Sequence, residues 1–147
     1  MTDTESTPYC IIDILPEQVP MYSPGRYFTV LRYFSSRLDE IIGKFASLLV
    51  KLNCYCHLEV GWDGENYTDD FAPEALERLF KAANSSPDPL YIRVNSSDAI
   101  FVYANGDHYM TLYEPDPELI RLVSRLASSE GLFVWSPPST PIDPPSL

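Results

Sequence analysis

The sequence predicts an α+β fold: an antiparallel sheet of about four to six strands, with three helices packed mainly on one face. Three observations predict it. Apolar residues recur at helical spacing in three separate stretches. β-prone runs lie between those stretches, and three of them follow one another directly after residue 89 with only turn residues separating them. The order is (strand)-helix-strand-helix-strand-strand-strand-helix-strand.

Pro8, Pro16, Pro20 and Pro24 punctuate the first 24 residues. Between the first two lies "YCIIDIL", a β-prone run bracketed by prolines, which fits an edge strand or a docked arm because proline cannot donate to a ladder. Residues 1–24 are therefore expected to form a Pro-rich arm, 25–136 a single α+β domain, and 137–147 a disordered Pro-rich tail. Ser23 suits the cap of a helix whose first residue is Pro24. From there Tyr27, Leu31, Phe34, Leu38, Ile41, Phe45, Leu48 and Leu52 recur at steps of four and three, forming one apolar stripe. A continuous helix of that length would run about 40 Å. "RYFTVLRYF" also reads as a strand, since it is rich in β-formers; the unbroken stripe favours one helix.

A strand through Cys54–Gly61 follows, then the loop "WDGENYTDD". Asp70 or a neighbour caps a second helix with Pro73 in its first turn, and Phe71, Leu76, Leu79, Phe80 and Ala83 form its apolar face. "LYIRVN", "AIFVYA" and "DHYMTLYE" read as a meander, the first pair joined by "SSD" and the second by Asn105-Gly106. That dipeptide signals a two-residue type I′ turn, which needs positive φ at both central positions. Asp116 caps a third helix with Pro117 at its first position; Leu119, Ile120, Leu122, Val123 and Leu126 face inward, and Gly131 is the expected C′ residue. "LFVW" is the closing strand.

The composition narrows the function classes. At 147 residues, a chain with 45% hydrophobic content can bury a core without disulfides. Three cysteines, an odd number, and a polar acidic start without a basic-then-apolar leader point to a reduced, cytoplasmic setting. No apolar run is long enough to span a bilayer. The net charge of -11 argues against a nucleic-acid or anionic-membrane surface and steers the chain toward basic partners; the same charge also serves solubility alone. It is regional. His57–Glu77 carries seven carboxylates (Glu59, Asp63, Glu65, Asp69, Asp70, Glu74, Glu77) and no Lys or Arg, and Val94–Ile120 carries five more with none.

Three stretches invite a chemical reading. "CYCH" brings Cys54, Cys56 and His57 together, but on a strand the cysteines share the apolar face and His57 points away, and the C-x-C spacing matches neither a zinc knuckle nor a CxxC redox pair. His108 follows the Asn-Gly turn, where it would sit opposite Tyr103 as a packing pair. "WDGENYTDD" lacks the spacing of an EF-hand loop. It reads either as a solvated loop leading to a helix cap or as an interface, with Trp62 and Tyr67 as anchors and Asp63, Glu65, Asp69 and Asp70 pairing with a partner's Lys and Arg. Asp107 at the hairpin tip is a further candidate contact. No Gly-rich phosphate loop, G-x-S-x-G or HExxH is present, so no catalytic residue, cofactor or metal is assigned.

The segment "NGDHYMTLYEPDPELIRLVSRLASSEGLFVW" resembles the C-terminal halves of small acidic bacterial immunity proteins of polymorphic or secreted toxin systems: a hairpin, a D-P-E helix and a closing G-L-F-V-W strand. The resemblance implies a cytoplasmic, non-enzymatic inhibitor that binds a cognate toxin, or another effector protein with a basic surface, by plugging its active-site cleft. Two alternatives stand beside it: an adaptor or loading chaperone for a secreted effector, and a small enzyme using His57 or His108.

Overall fold

In the computed structural model, residues 8–20 and 25–136 are described. The elements run β1 (Tyr9–Asp13), α1 (Arg26–Ser35), α2 (Leu38–Leu52), β2 (Leu58–Gly61), α3 (Ala75–Ala83), β3 (Leu90–Val94), β4 (Ile100–Tyr103), β5 (Tyr109–Tyr113), α4 (Pro117–Ser129) and β6 (Phe133–Trp135). The six strands form one open antiparallel sheet in the order β2-β3-β4-β5-β1-β6. This is the predicted α+β class, and its four helices are the three predicted ones with the first broken in two.

Strand alternation sets up the architecture. Cys10, Ile12, Leu58, Val60, Leu90, Ile92, Val94, Phe101, Tyr103, Met110 and Leu112 point to one face, where they form a single core with α2, α3 and α4. At its centre the rings of Phe45, Phe80 and Tyr103 contact one another, with centroids 4.9 to 6.1 Å apart. Offset and edge-on contacts of this kind add to the stabilisation from burial alone.

The helix ends follow their sequence signals where those signals are local. Asp116 Oδ1 accepts a hydrogen bond from the Leu119 N–H at 2.8 Å, and Pro117 occupies the first turn. Gly131 (φ 76) ends α4, with Leu132 N–H donating to Ala127 O at 2.9 Å and Gly131 N–H to Ser128 O at 3.2 Å. That pair of bonds is a Schellman motif. Beside it Glu130 meets Lys51 at 2.6 Å and accepts from Ser47 Oγ at 2.7 Å, tying α4 to α2.

Five expectations are corrected. The long helix breaks at Ser36–Arg37, where Arg37 takes φ -118, ψ 22. The stripe continues across the break, but α1 buries no residue whereas α2 buries seven, so little packing holds the two in line. The reading of Ser23 and Pro24 as cap and first helical residue lies outside the described residues, as does the tail 137–147. β1 is an interior strand, paired with β5 on one side and β6 on the other, so the edge belongs to β6 and the flanking prolines fall outside the ladder. The strand at "CYCH" starts only at Leu58. Residues 53–56 prolong the end of α2, with Cys56 N–H donating to Leu52 O at 2.9 Å. Cys54 is consequently exposed and Cys56 half-buried; the cysteine in the core is Cys10, whose thiol is pushed up to about 11 by burial.

The fourth correction concerns the hairpins. Asp107 N–H donates to Ala104 O at 3.1 Å, so the turn does centre on Asn105-Gly106, but only Gly106 has positive φ. Val102 pairs with Thr111, two residues beyond the partner a two-residue hairpin would give it. A slip of two keeps every side chain on its face. The cause is a tertiary clamp: Asn84, at the end of α3, donates to Tyr103 Oη at 3.1 Å and accepts from Gly106 N–H at 2.6 Å. The left-handed pair that a type I′ turn requires sits instead at Asn95 (φ 56) and Ser96 (φ 52), where Ser97 N–H donates to Val94 O at 3.0 Å. Asn95 is held there by its exchange with His57, donating N–H to His57 O at 2.7 Å and accepting from His57 N–H at 2.8 Å. Finally, Asp70 does not cap α3. The helix begins five residues later, at Ala75, which leaves Pro73 ahead of its first turn, and the Asp70 N–H donates to Thr68 Oγ1.

Candidate functional site

The seven residues singled out from the sequence separate into three roles. Asp63 is committed to its own loop: Oδ1 accepts from Glu65 N–H at 2.9 Å and Asn66 N–H at 2.8 Å, and Oδ2 from Asn66 Nδ2 at 2.6 Å. These bonds, that from the Asn66 backbone foremost, hold its carboxyl down at about 2. Trp62 packs half-buried against the core. Tyr67 folds back under the Arg93 guanidinium, 4.2 Å from ring centroid to Cζ, while Arg93 Nε donates to Glu59 at 2.9 Å. The chain then pairs Thr68 with Val60 through two 2.9 Å hydrogen bonds. Gly61 permits this return, since a Cβ there would collide with the Asn66 carbonyl.

Asp69 meets His57 Nε2 at 3.2 Å, both side chains exposed. Glu65 and Asp70 are the carboxylates of the loop that project to solvent without such a partner among the described residues. Trp62, Asp63, Tyr67 and Asp70 line a groove that continues into Phe71 and Leu79 beside α3. Asp107 does not line it. Half-buried at the tip of the β4–β5 hairpin, Asp107 acts instead on the hydroxyls of Tyr27, Tyr103 and Tyr109, and burial raises its own carboxyl. His108 is half-buried with Nε2 lacking a hydrogen-bond partner, and burial lowers its pKa.

Asp107 leads to the feature that sequence reasoning missed. On the sheet face opposite α2, α3 and α4, the registers Tyr9↔Tyr113, Ile11↔Thr111, Asp13↔Tyr109 and Ile11↔Trp135 set three tyrosines and a tryptophan around Ile11, Asp13 and Thr111, and Tyr27 of α1 adds a fourth. Tyr9 and Tyr113 lie 5.8 Å apart in a tilted pair. Together with Leu15–Pro20 and the first turn of α1, they enclose a cleft of about 770 Å³. Asp13 lines it and is only 7% exposed, the one buried charged residue among the described residues. Burial pushes its carboxyl above the ordinary range, partly offset by the N–H groups of Leu15 and Ile14 and by the Trp135 indole. That indole N–H is buried and short of full hydrogen-bond geometry with any acceptor.

Two signals in the sequence carry this site. Asp13 is a lone carboxylate in an apolar run, where an unpaired charge is costly to bury. Tyr109 and Tyr113 in "DHYMTLY" stand four apart, which sets both on one face of a strand. Neither signal tells which strands become neighbours. Among the described residues no three of His, Cys, Asp or Glu converge as metal ligands, and no helix is long and apolar enough to cross a membrane. Compared with protein families, with characterised proteins and with solved structures, the chain shows no match.

Proposed function

We propose that this chain is a non-enzymatic, cytoplasmic binding protein, an immunity or inhibitor protein that neutralises a toxin by covering its basic active-site cleft. The observation that carries the reading is the tyrosine-rich sheet face with Asp13 and Asp107 at one end, left without the helices that close the opposite face. Tyrosine and tryptophan are enriched where proteins recognise proteins, because a large amphipathic ring is immobilised at small entropic cost. The net charge of -11 supplies steering toward a partner rich in Lys and Arg. Glu65 and Asp70, exposed in the loop after β2 at the far edge of the sheet, add to that steering charge; Asp63 and Asp69 serve the loop itself.

Co-expression with the protein encoded beside it tests the reading. A stable complex and suppression of that protein's toxicity are expected. Replacing Glu65, Asp70 and Asp107 with their amides should slow association several-fold at low salt and flatten its salt dependence. A neighbouring product that is neither toxic nor bound overturns the proposal. A complex in which the toxin stays fully active replaces it with the adaptor reading.

A further inference from the structure

We infer that the cleft over Asp13 is a receptor for a guanidinium group, filled by an arginine side chain of the protein partner. This rests on the reading that the partner is a basic protein, and it names the group recognised.

Charge comes first. Asp13 is 93% buried by its 7% exposure, yet no Lys or Arg among the described residues pairs with it. The groups that reach its carboxylate are backbone N–H groups and the Trp135 indole, all neutral donors. Asp107 adds a second negative charge on the same side, felt at the Tyr27 and Tyr109 hydroxyls, as is that of Asp13. A buried carboxylate with aromatic walls and no cation of its own is incomplete, and a cation entering the cleft would offset the burial.

The walls choose the kind of cation. The lining is dominated by aromatic side chains, Tyr9, Tyr27, Phe28, Tyr109, Tyr113 and Trp135, with Asp13 its one carboxylate, and falls short of the six or more oxygens that a hard metal ion requires. Aromatic faces favour a weakly hydrated organic cation. Guanidinium suits the site better than ammonium: it is flat enough to stack, it carries less tightly held water, and its paired N–H groups match a carboxylate two to one. The cleft also extends along the sheet to Ile11 and Thr111, so it accommodates a side chain attached to a surface and not merely a free ion.

Trp135 provides the readout, because the chain has two tryptophans and Trp62→Phe leaves it alone. Its emission is followed on titration with a blocked nine-residue peptide containing one arginine, its citrulline and lysine counterparts, and N-acetyl-arginine amide. Saturable change with the arginine peptide is expected, at least tenfold weaker with citrulline, intermediate with lysine, and weaker with the free amide than with the peptide. Asp13→Asn should weaken arginine-peptide binding at least tenfold. Thr111→Arg, which sets a guanidinium on the cleft wall, should abolish it and serves independently if Asp13→Asn fails to fold. Equal binding of arginine and citrulline peptides, or unchanged binding by a folded Thr111→Arg, overturns the inference; a free amide binding as tightly as the peptide overturns the protein source of the cation. Failure here with a neighbouring toxin still bound and inhibited would leave the inhibitor reading standing. Arginine binding in the cleft without any toxic neighbour would sink that reading and keep the receptor.

Discussion

The two faces of the sheet are made by the same strands and behave as different materials. Toward the helices, Ile12, Leu90, Ile92, Phe101, Tyr103, Met110 and Leu112 are all 0% exposed. On the other side, Tyr9 and Tyr113 are more than a third exposed, and Ile11 and Asp13, although buried, line a cleft. The inner face is closed by aliphatic and aromatic packing, where each lost methylene is felt. The outer face spends its tyrosines on surface and places a carboxylate where a core would exclude it. A protein whose only requirement was stability would gain by filling the outer face or by polarising it throughout. The contrast teaches that the helices secure the scaffold and that the open face is free to be specialised.

The largest expected effect tests the inner face. Phe80→Ala empties the junction of α2, α3 and β4 and should lower the unfolding free energy by about 3–5 kcal/mol, measured by denaturant titration. Next is the clamp between the helical layer and the hairpin. Asn84→Ala strips the Tyr103 hydroxyl and the Gly106 N–H of their partner and should cost about 1–3 kcal/mol, with faster amide exchange at Gly106. On the outer face, Tyr113→Ala should cost about 1–2 kcal/mol, from its tilted pair with Tyr9 and the part of its ring that is buried, while reducing partner affinity. If Tyr113→Ala destabilised as much as Phe80→Ala, the comparison would break, and the outer face would have to be counted as a second core.

The smallest effect is a titration in the loop beside β2. The Asp63 carboxyl lies at about 2 in the folded chain, below its ordinary value of 3.8. An acid with a depressed folded pKa adds stability that is complete above the unfolded value and is lost as pH falls through the folded one. Amide protection at Glu65 and Asn66 should therefore hold down to about pH 4 and fall away toward pH 2; in Asp63→Asn that acid step should vanish. An identical acid profile in the variant would show that another group orders the loop.

The parts of the fold legible in the sequence are those whose causes are local. Asp116-Pro117 and Gly131 mark the two ends of α4 because a cap and a left-handed terminus are decided within a few residues. The meander of β3, β4 and β5 follows from period-two runs and short connections. Local logic misled where a distant residue intervened. Asn105-Gly106 carries the stronger type I′ signal, yet Asn84 sets its register, and the doubly left-handed turn falls to Asn95-Ser96 under the grip of His57. "CYCH" looked like a strand because its residues are β-prone, but α2 prolongs itself through Cys56 before the chain can extend.

The candidate site divides along the same line. Glu65, Asp70 and Asp107 could be named from the sequence as exposed or tip-borne charges, since regional acidity is a property of composition. That Asp63 would be consumed by Asn66 depends on the loop's own closure, which Gly61 allows. The cleft over Asp13 depends on tertiary structure altogether. By itself the sequence determined the α+β class, the period of each element and the sign of the charge, because side-chain periodicity and net charge are additive along the chain. Only the tertiary structure decided that β1 enters the interior of the sheet between β5 and β6. That placement sets Asp13 against Tyr109 and draws Trp135 alongside, and antiparallel pairing between segments about a hundred residues apart or more is fixed by the packing of whole faces, not by any local preference.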